Sequence, residues 1–282
     1  MTVKKLYKEF ADLQCLHNIQ VSDKPIWVIK FRQDGKYLAT GGMDGVLRVY
    51  QIVPVYDHDT NTASMFHTHH ANKVKPFKEF EKGHQLDIFD INWCSKEPYE
   101  NYLLTAGADM KVIIWNLNDK GPIQELAHRG IVSCAVFNVS VQFCIASGCS
   151  DKTIRLWRIN TRTVTNWIQA PDFITALQYN FDGSRLVAGL INGEVHIYDS
   201  KTDSLRHLMK IECKNRTGKF SKGKKVTGIE FMSSINMPNC IMVTTNDSRI
   251  RFVNSKNGRI LLKVKGHKNE NFLTRASLSY DF

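Results

Sequence analysis

One pattern recurs five times along this chain and constrains its fold more than any other feature. An alternating apolar run leads to a turn with a polar residue, and a second alternating run follows the turn. The turn residues are Asp44, Asp109, Asp151, Asn192 and Asp247. The two central steps between them are 42 and 41 residues, within the ~40–45-residue period of a four-stranded propeller blade. The first and last steps, 65 and 55 residues, are longer and indicate insertions.

A second spacing agrees with the first. The residue six positions beyond each turn ends the apolar run, and these residues are Tyr50, Trp115, Trp157, Tyr198 and Val253. A constant even step along a strand keeps side chains on one face of the sheet. Alternation with a period of two is typical of strands rather than helices. The two spacings together predict an all-β propeller built from four-stranded blades.

The whole chain, residues 1–282, is predicted to be one propeller domain. The repeats span about 22–50, 80–117, 124–160, 167–200 and 223–255, the start of a sixth spans 263–282, and insertions occupy 51–79 and 201–224.

Two repeats resemble a known family in detail. Gly83-His84 precedes Asp109 and Trp115, and Ala127-His128 precedes Asp151 and Trp157, which is similar to the GH…D…W skeleton of WD40 repeats. In that family a His, a Ser or Thr, the Asp and the Trp form a buried hydrogen-bonded tetrad. The resemblance implies two tetrads: His84, Thr105, Asp109 and Trp115, and His128, Ser147, Asp151 and Trp157. The other three repeats lack the His, so apolar packing is expected to hold those blades.

A narrower resemblance covers nearly the whole chain, from about Phe10 to Phe282. The chain resembles the rabphilin-like WD-repeat family, whose members bind an endosomal Rab GTPase. The similar segments are DKPIWVIKFRQDGKYLATGGMDGVLRVY, KGHQLDIFDINW, NRTGKFSKGKKVTGIEF and TTNDSRIRF. The resemblance implies a scaffold in vesicle or endosomal trafficking, with a small GTPase or a trafficking complex as partner. That family's Rab-binding region precedes the propeller and therefore does not carry over to these residues.

The number of repeats raises a question of closure. Related propellers have about seven blades, and Leu6 to Ile19 resembles the outer strand that completes a last blade. Five blades and the start of a sixth would leave exposed strand edges. We therefore expect a fragment of a seven-bladed propeller, with unusual closure or closure through a partner as the alternatives.

The net charge of +11 is concentrated in one segment. Between residues 210 and 225, seven basic residues face a single acid, Glu212. The candidate binding residues there are Lys214, Arg216, Lys219, Lys222, Lys224 and Lys225. A concentrated positive charge favours an acidic membrane or an acidic protein surface, and a solvated loop without a partner is the alternative. Nucleic acid is disfavoured because Phe220 is the one aromatic residue for stacking.

The same segment contains most of a phosphate-binding loop motif. Gly218 to Lys224 matches G-x-x-x-x-G-K, but the next position is Lys225 where a metal-binding Ser or Thr is required. The residues that follow alternate like a strand, whereas the motif needs a helix N-terminus. Nucleotide hydrolysis is therefore not expected.

A second candidate surface lies where the innermost strands begin. Trp27, Asp87, Arg129 and Asp172 precede or open these strands, close to the central channel through which propellers bind. Trp and Arg are the residue types that dominate binding hot spots. The alternative for Trp27 is a position in the core, because it belongs to an alternating strand.

Catalysis, cofactors and metals are not expected. His128, Ser147 and Asp151 have the residue types of a hydrolase triad, but repeat two carries a matching set, which indicates a structural network. The insertion contains His58, His67, His69 and His70, for which a disordered loop is favoured over a metal site.

Seven cysteines without a C-x-x-C pair indicate a reducing compartment, and we expect a cytoplasmic, non-catalytic scaffold that is peripheral on vesicle membranes. The alternatives are an RNA-associated propeller and a ligand-recognising subunit of an enzyme complex.

Overall fold

A computed structural model gives the structure of part of the chain. The described residues are 15, 17–54, 72–138, 140–141, 144–201, 204–214, 223–232, 239–269, 272 and 274–277. Predictions for Arg216, Lys219, Lys222, His58, His67, His69 and His70, and for most of Leu6 to Ile19, lie outside these residues.

The described residues contain five four-stranded antiparallel sheets, here called blades 1 to 5. Blade 1 holds β1 (Ile26–Phe31), β2 (Tyr37–Gly42), β3 (Leu47–Pro54) and β4 (Asn72–Phe80). Blade 2 holds β5 (Ile88–Trp93), β6 (Tyr102–Gly107), β7 (Lys111–Asn116) and β8 (Pro122–Ala127). Blade 3 holds β9 (Val132–Phe137), β10 (Cys144–Cys149), β11 (Thr153–Arg158) and β12 (Thr163–Gln169). Blade 4 holds β13 (Ile174–Tyr179), β14 (Arg185–Leu190), β15 (Glu194–Asp199) and β16 (Arg206–Glu212). Blade 5 holds β17 (Val226–Phe231), β18 (Cys240–Thr245), β19 (Arg249–Asn254) and β20 (Ile260–Val264).

The blades are arranged in a ring. Strands follow one another within each sheet in chain order, and the first strand of each blade contacts the first strand of the next. The predicted all-β propeller with five four-stranded blades is therefore confirmed. No helix long and apolar enough to cross a membrane occurs in the described part of the chain.

The core lies between adjacent blades. The five residues six positions beyond the turns, Tyr50, Trp115, Trp157, Tyr198 and Val253, are all buried, as their shared parity predicts. The ring of Trp115 packs on Phe80 of the preceding blade with centroids 4.9 Å apart. Gly83 lies against the same indole, where a Cβ atom would approach the ring to 2.2 Å. The Gly-His pair therefore needs its glycine for close packing.

The two predicted insertions are shorter than expected. The segment 51–79 contains the end of β3 and nearly all of β4, and the segment 201–224 contains β16. Both β4 and β16 are outermost strands with mostly exposed side chains. An outermost strand carries a weak apolar alternation because it packs on one side only, so the sequence pattern does not reveal it.

Hydroxyl groups join successive innermost strands. Ser133 Oγ donates to the Ile174 carbonyl oxygen at 2.6 Å, and Thr175 Oγ1 donates to the Val226 carbonyl oxygen at 2.6 Å. Thr227 Oγ1 makes the same bond to Thr274 at 2.8 Å. Thr274 thus holds the position toward blade 5 that Val226 holds toward blade 4, although the described residues 274–277 form no strand ladder. The start of a sixth repeat over 263–282 stays a prediction.

Blade 2 contains a complete polar tetrad. The Trp115 indole N–H donates to Thr105 Oγ1 at 2.9 Å, and the Thr105 hydroxyl lies 2.7 Å from His84 Nε2. His84 Nδ1 lies 2.8 Å from a carboxylate oxygen of Asp109. One direction of donation satisfies every group: indole to hydroxyl, hydroxyl to imidazole, and imidazole to carboxylate. Burial favours a raised pKa for Asp109, but the hydrogen bonds from His84 and from backbone N–H groups outweigh it, and the pKa is lowered.

Blade 3 departs from the predicted tetrad. Trp157, Ser147 and His128 repeat the chain, with 2.9 Å between the indole nitrogen and Ser147 Oγ and 2.7 Å between Ser147 Oγ and His128 Nε2. The fourth link differs, because His128 Nδ1 lies 3.0 Å from the Leu126 carbonyl oxygen instead of Asp151. The prediction that Asp151 completes the tetrad is therefore wrong.

An arginine explains this difference. Arg155, four residues beyond Asp151, forms a 2.5 Å ion pair with it, and a guanidinium is a stronger partner for a carboxylate than a neutral imidazole. The same spacing recurs in blade 1, where Arg48 lies 2.6 Å from Asp44. It recurs in blade 5, where Arg251 pairs with Asp247.

In blades 1 and 5 this ion pair therefore stands beside the apolar packing that the sequence predicts. The blade 5 pair is completely enclosed. Arg251 is 0% exposed and Asp247 is 1% exposed. Arg251 Nη1 donates to Asp247 Oδ1 at 3.0 Å and to the hydroxyl oxygen of Thr245 at 2.5 Å. In blade 5 an arginine thus replaces the imidazole as the partner of the turn carboxylate.

We predict that breaking the blade 5 pair destabilises the protein strongly. Arg251→Met leaves the Asp247 carboxylate buried without its cation, which costs about 3–5 kcal/mol by the usual range for broken buried pairs. Chemical denaturation measures the loss, with the exposed Arg162→Met as the matched control. The double variant Arg251→Met, Asp247→Leu should recover much of the stability. An Arg251→Met protein as stable as the control would contradict the assignment.

His128 should make the stability of the protein depend on pH. Burial lowers the pKa of this imidazole to about 4, below its ordinary value near 6.5. Between these values the unfolded chain binds the proton that the folded chain refuses, so the free energy of unfolding falls as pH decreases from about 7 to 4. His128→Gln removes this contribution. Denaturation curves across that range should show a shallower pH dependence for the variant, and parallel curves would contradict the prediction.

Candidate functional site

The segments that lead into the innermost strands gather at one end of the ring, here called the upper face. In each blade the connection between the second and third strands returns to the same end. Backbone hydrogen bonds fix this arrangement: Ala108 N donates to Asp87 O at 2.8 Å, and Ser150 N donates to Ile131 O at 2.8 Å. Asn246 N donates to Lys225 O at 3.0 Å in the same way. The upper face therefore holds the predicted binding residues Trp27, Asp87, Arg129, Asp172, Lys224 and Lys225.

Trp27 is exposed on this face and fixed by a neighbouring blade. Its side chain is 37% exposed, so the alternative of a core position does not describe it. Its indole N–H donates to the Asp87 carboxylate at 2.8 Å, across the gap between blades 1 and 2. This bond holds a large aromatic surface in one orientation while leaving part of it open to solvent. A pre-positioned, partly exposed indole is typical of an interaction anchor.

Charged residues surround the next two connections. Asp172 lies 3.5 Å from the ammonium group of Lys152, and that ammonium lies 5.4 Å from the centre of the Phe173 ring. Arg129 is exposed directly before β9. Lys152, Asp172 and Phe173 thus lie close together, and Arg129 adds an exposed guanidinium on the same face. The sequence pattern identified Arg129 and Asp172 but not the contribution of Lys152 and Phe173.

The two described ends of the basic segment differ in character. Lys214 is paired with Glu212 at 2.7 Å, and Lys210 lies 3.1 Å from Glu194, so acids offset part of the charge at the first end. At the second end Gly223 has a φ of +78°, and a Cβ atom there would lie 2.0 Å from the Asn192 carbonyl oxygen. The segment is therefore anchored against the turn of blade 4 before blade 5 begins.

Lys225 lies toward the centre of the ring. Its side chain is half-buried, and burial together with the Arg275 guanidinium lowers its pKa. Arg275 reaches from the last described segment to Asp90 of blade 2 and forms a 2.7 Å ion pair with it. Lys30 of blade 1 has a lowered pKa from burial and from the same guanidinium. Among the basic-segment residues that the structure describes, Lys214 and Lys224 are therefore better placed than Lys225 for an external partner.

The polar groups that resemble a hydrolase triad are not arranged for catalysis. Ser147 is fully buried, and its oxygen accepts a hydrogen bond from Trp157. Burial also raises the pKa of the Cys134 and Cys213 thiols to about 12, which disfavours their reactive thiolate forms. Within the described ranges, no group of three or more His, Cys, Asp or Glu side chains could hold a metal ion.

Comparison with known proteins agrees with this architecture. The model of the WD domain, G-beta repeat, matches residues 13–51, 74–116 and 120–158. The model of the anaphase-promoting complex subunit 4 WD40 domain matches residues 143–234. WD40-type models thus match most of the chain between residues 13 and 234.

Individual relatives match along most of this chain. WD repeat-containing protein 44 of Xenopus laevis is 27% identical over 91% of this chain and 31% of its own length. An uncharacterized WD repeat-containing protein of Schizosaccharomyces pombe is 25% identical, with coverages of 91% and 44%. The 2-deoxy-glucose resistant protein 2 of Saccharomyces cerevisiae is 23% identical, with coverages of 89% and 36%. The chain therefore spans less than half the length of these relatives.

The repeated turns, the His-Thr-Trp-Asp tetrad of blade 2, the ring of four-stranded blades and the matching family models lead to one assignment. The chain belongs to the WD40-repeat β-propeller family.

Proposed function

We propose that this propeller is a non-catalytic scaffold that binds proteins through its upper face, in Rab-linked vesicle or endosomal trafficking. The similarity to WD repeat-containing protein 44 supports this setting, and the work of the scaffold is then cytoplasmic and peripheral on vesicle membranes. A small GTPase or a trafficking complex is the expected kind of partner. WD40 propellers are in general protein-binding scaffolds.

The exposed and oriented indole of Trp27 is the observation that carries the proposal. The buried polar groups of blades 2, 3 and 5 are engaged in structural bonds, whereas Trp27 combines an internal hydrogen bond with an open ring face. Arg129 adds an exposed guanidinium on the same face. Aromatic rings and guanidinium groups contribute most of the binding free energy in protein interfaces, because they bury large areas at a low entropic cost.

The basic segment adds a second contribution to the proposal. It connects blade 4 to blade 5 at the upper face, since β16 ends and β17 begins there. Lysines and arginines near an anionic membrane surface contribute about 1 kcal/mol each. A membrane held at this face would concentrate the scaffold where membrane-bound partners are.

Loss of the Trp27 indole should weaken partner binding. Removing a hot-spot aromatic costs about 2 kcal/mol or more, which is roughly thirtyfold in affinity. Affinity purification of the tagged chain from cells, followed by binding curves with the purified partner, measures the effect of Trp27→Ala. Trp167→Ala is the matched control, because Trp167 is also exposed but lies on the outermost strand of blade 3. Equal binding by both variants would contradict an upper-face site.

Reversal of the charges in the basic segment should weaken membrane binding without unfolding the protein. The variant Lys219→Glu, Lys222→Glu, Lys224→Glu is expected to lose at least tenfold in affinity for liposomes containing phosphatidylserine, and wild-type binding should weaken with salt. Lys73→Glu, Lys75→Glu, Lys120→Glu makes the same change of charge elsewhere and should bind like the wild type.

Two results of this comparison would count against a membrane role. One is liposome binding that the Lys219→Glu, Lys222→Glu, Lys224→Glu variant retains unchanged. The other is a tighter, equally salt-sensitive interaction with single-stranded RNA, which would favour an RNA-associated propeller.

A further inference from the structure

A cavity of about 230 Å³ opens between blades 2 and 3, at the end of the ring opposite the upper face. It is formed where β5 and β9 end and where β8 begins, so residues from the lower connections line it. Its walls include the aromatic rings of Tyr99 and Phe137 and the aliphatic side chain of Ile159. The surface inside therefore combines apolar and polar groups, and it lies outside the region discussed so far.

A buried amide in this cavity has no partner. Gln124 on β8 is 7% exposed and lines the cavity, and its Nε2 atom makes no hydrogen bond within the described structure. A buried polar group without a partner costs about 1–3 kcal/mol. An aliphatic residue at this position would avoid that cost. The amide lies in the cavity wall, so a small displacement of the Gln124 side chain would let it donate to an acceptor oxygen of a bound partner.

Two cations stand at the margin of the cavity. Lys96 and Arg162 both line it, and none of its described lining residues is acidic. The Lys96 ammonium is held in place by a 3.2 Å bond to the Ser140 carbonyl oxygen, while Arg162 is exposed. Glu97 and Glu100 belong to the same connection as Lys96 but do not line the cavity. The charge around the opening therefore complements a carboxylate.

The volume limits what can enter. Pockets for drug-sized ligands measure roughly 300–1,000 Å³, so this cavity is too small for such a molecule and fits about one large side chain. We propose that the cavity binds an acidic peptide segment of a partner protein, which inserts one aromatic or aliphatic side chain. A neighbouring carboxylate contacts Lys96 and Arg162, and an oxygen of the peptide accepts the Gln124 hydrogen bond.

The proposed site is independent of the upper face. The basic segment and Trp27 lie at the opposite end of the blades, so a peptide in the cavity leaves them accessible. A partner held below and a membrane or second partner held above can therefore be present together. Failure of the upper-face proposal would not affect the lower cavity, and the reverse also holds.

Fluorescence anisotropy with labelled pentapeptide pools tests the proposal on the whole chain. One pool has Phe, Tyr or Leu at its centre between Asp or Glu residues, a second has Gly at its centre in the same acidic context, and a third has the apolar centre between Lys residues. The first pool should bind at least tenfold more tightly than the other two. Equal binding of the Gly-centred pool would overturn the proposal, because it would show charge attraction without insertion.

Two variants locate the binding. Gln124→Leu removes the donor, should weaken the first pool at least fivefold, and should melt at the same temperature as the wild type or higher. Arg162→Glu should weaken it at least tenfold, whereas Arg259→Glu, an exposed arginine at the corresponding end of blade 5, should have little effect. If Gln124→Leu fails to fold, the comparison of Arg162→Glu with Arg259→Glu still tests the proposal.

The variant Lys219→Glu, Lys222→Glu, Lys224→Glu, which reverses charges in the basic segment, serves as a further control. It should bind the first pool like the wild type. Equal loss in the Arg162 and Arg259 variants, or unchanged binding in both Gln124→Leu and Arg162→Glu, would overturn the lower site.

Discussion

In blades 2 and 5 the turn between the second and third strands holds an enclosed carboxylate, and each blade must provide a partner for it within the protein. Blade 2 does so with an imidazole, since His84 joins Thr105 to Asp109. Blade 5 does so with a guanidinium, since Arg251 joins Thr245 to Asp247. Both side chains donate to the turn carboxylate, but the imidazole accepts from the Thr105 hydroxyl whereas the guanidinium donates to the Thr245 hydroxyl oxygen. The requirement belongs to the fold, and the residue that meets it can change from blade to blade.

Blade 3 shows that the two solutions can coexist. Asp151 is taken by Arg155, so His128 turns its second nitrogen to the Leu126 carbonyl and remains neutral. Burial lowers the pKa of His128, and the nearby Arg155 guanidinium lowers it further. A tetrad residue can therefore keep its hydrogen bond to the hydroxyl while losing its link to the acid.

The sequence predicted the fold well because both of its signals are periodic. The spacing of the turns and the constant step to Trp115 or Trp157 depend on strand parity, which the packing between blades enforces. The outermost strands β4 and β16 escaped prediction because exposed side chains follow no strict pattern. The arginines that pair with the turn aspartates were not predicted either, although an Asp followed four residues later by Arg recurs in repeats one, three and five. That spacing resembles a helical pair, and only the strand geometry shows that it spans a turn and a strand.

The candidate sites were less predictable, since they depend on contacts between distant residues. The charge of the basic segment is visible in the sequence, but the half-buried position of Lys225 beside Arg275 is not. Likewise, nothing in the sequence distinguishes Gln124 from other strand residues, and only the structure shows that it lines the cavity between blades 2 and 3.

The same architecture thus divides its polar groups by position. The networks around His84 and Arg251 stabilise the blades, whereas Trp27 at one end and Gln124 at the other are the groups that we propose contact partners. A ring that binds at both ends as proposed would hold two partners at a separation set by the bonds that join its blades.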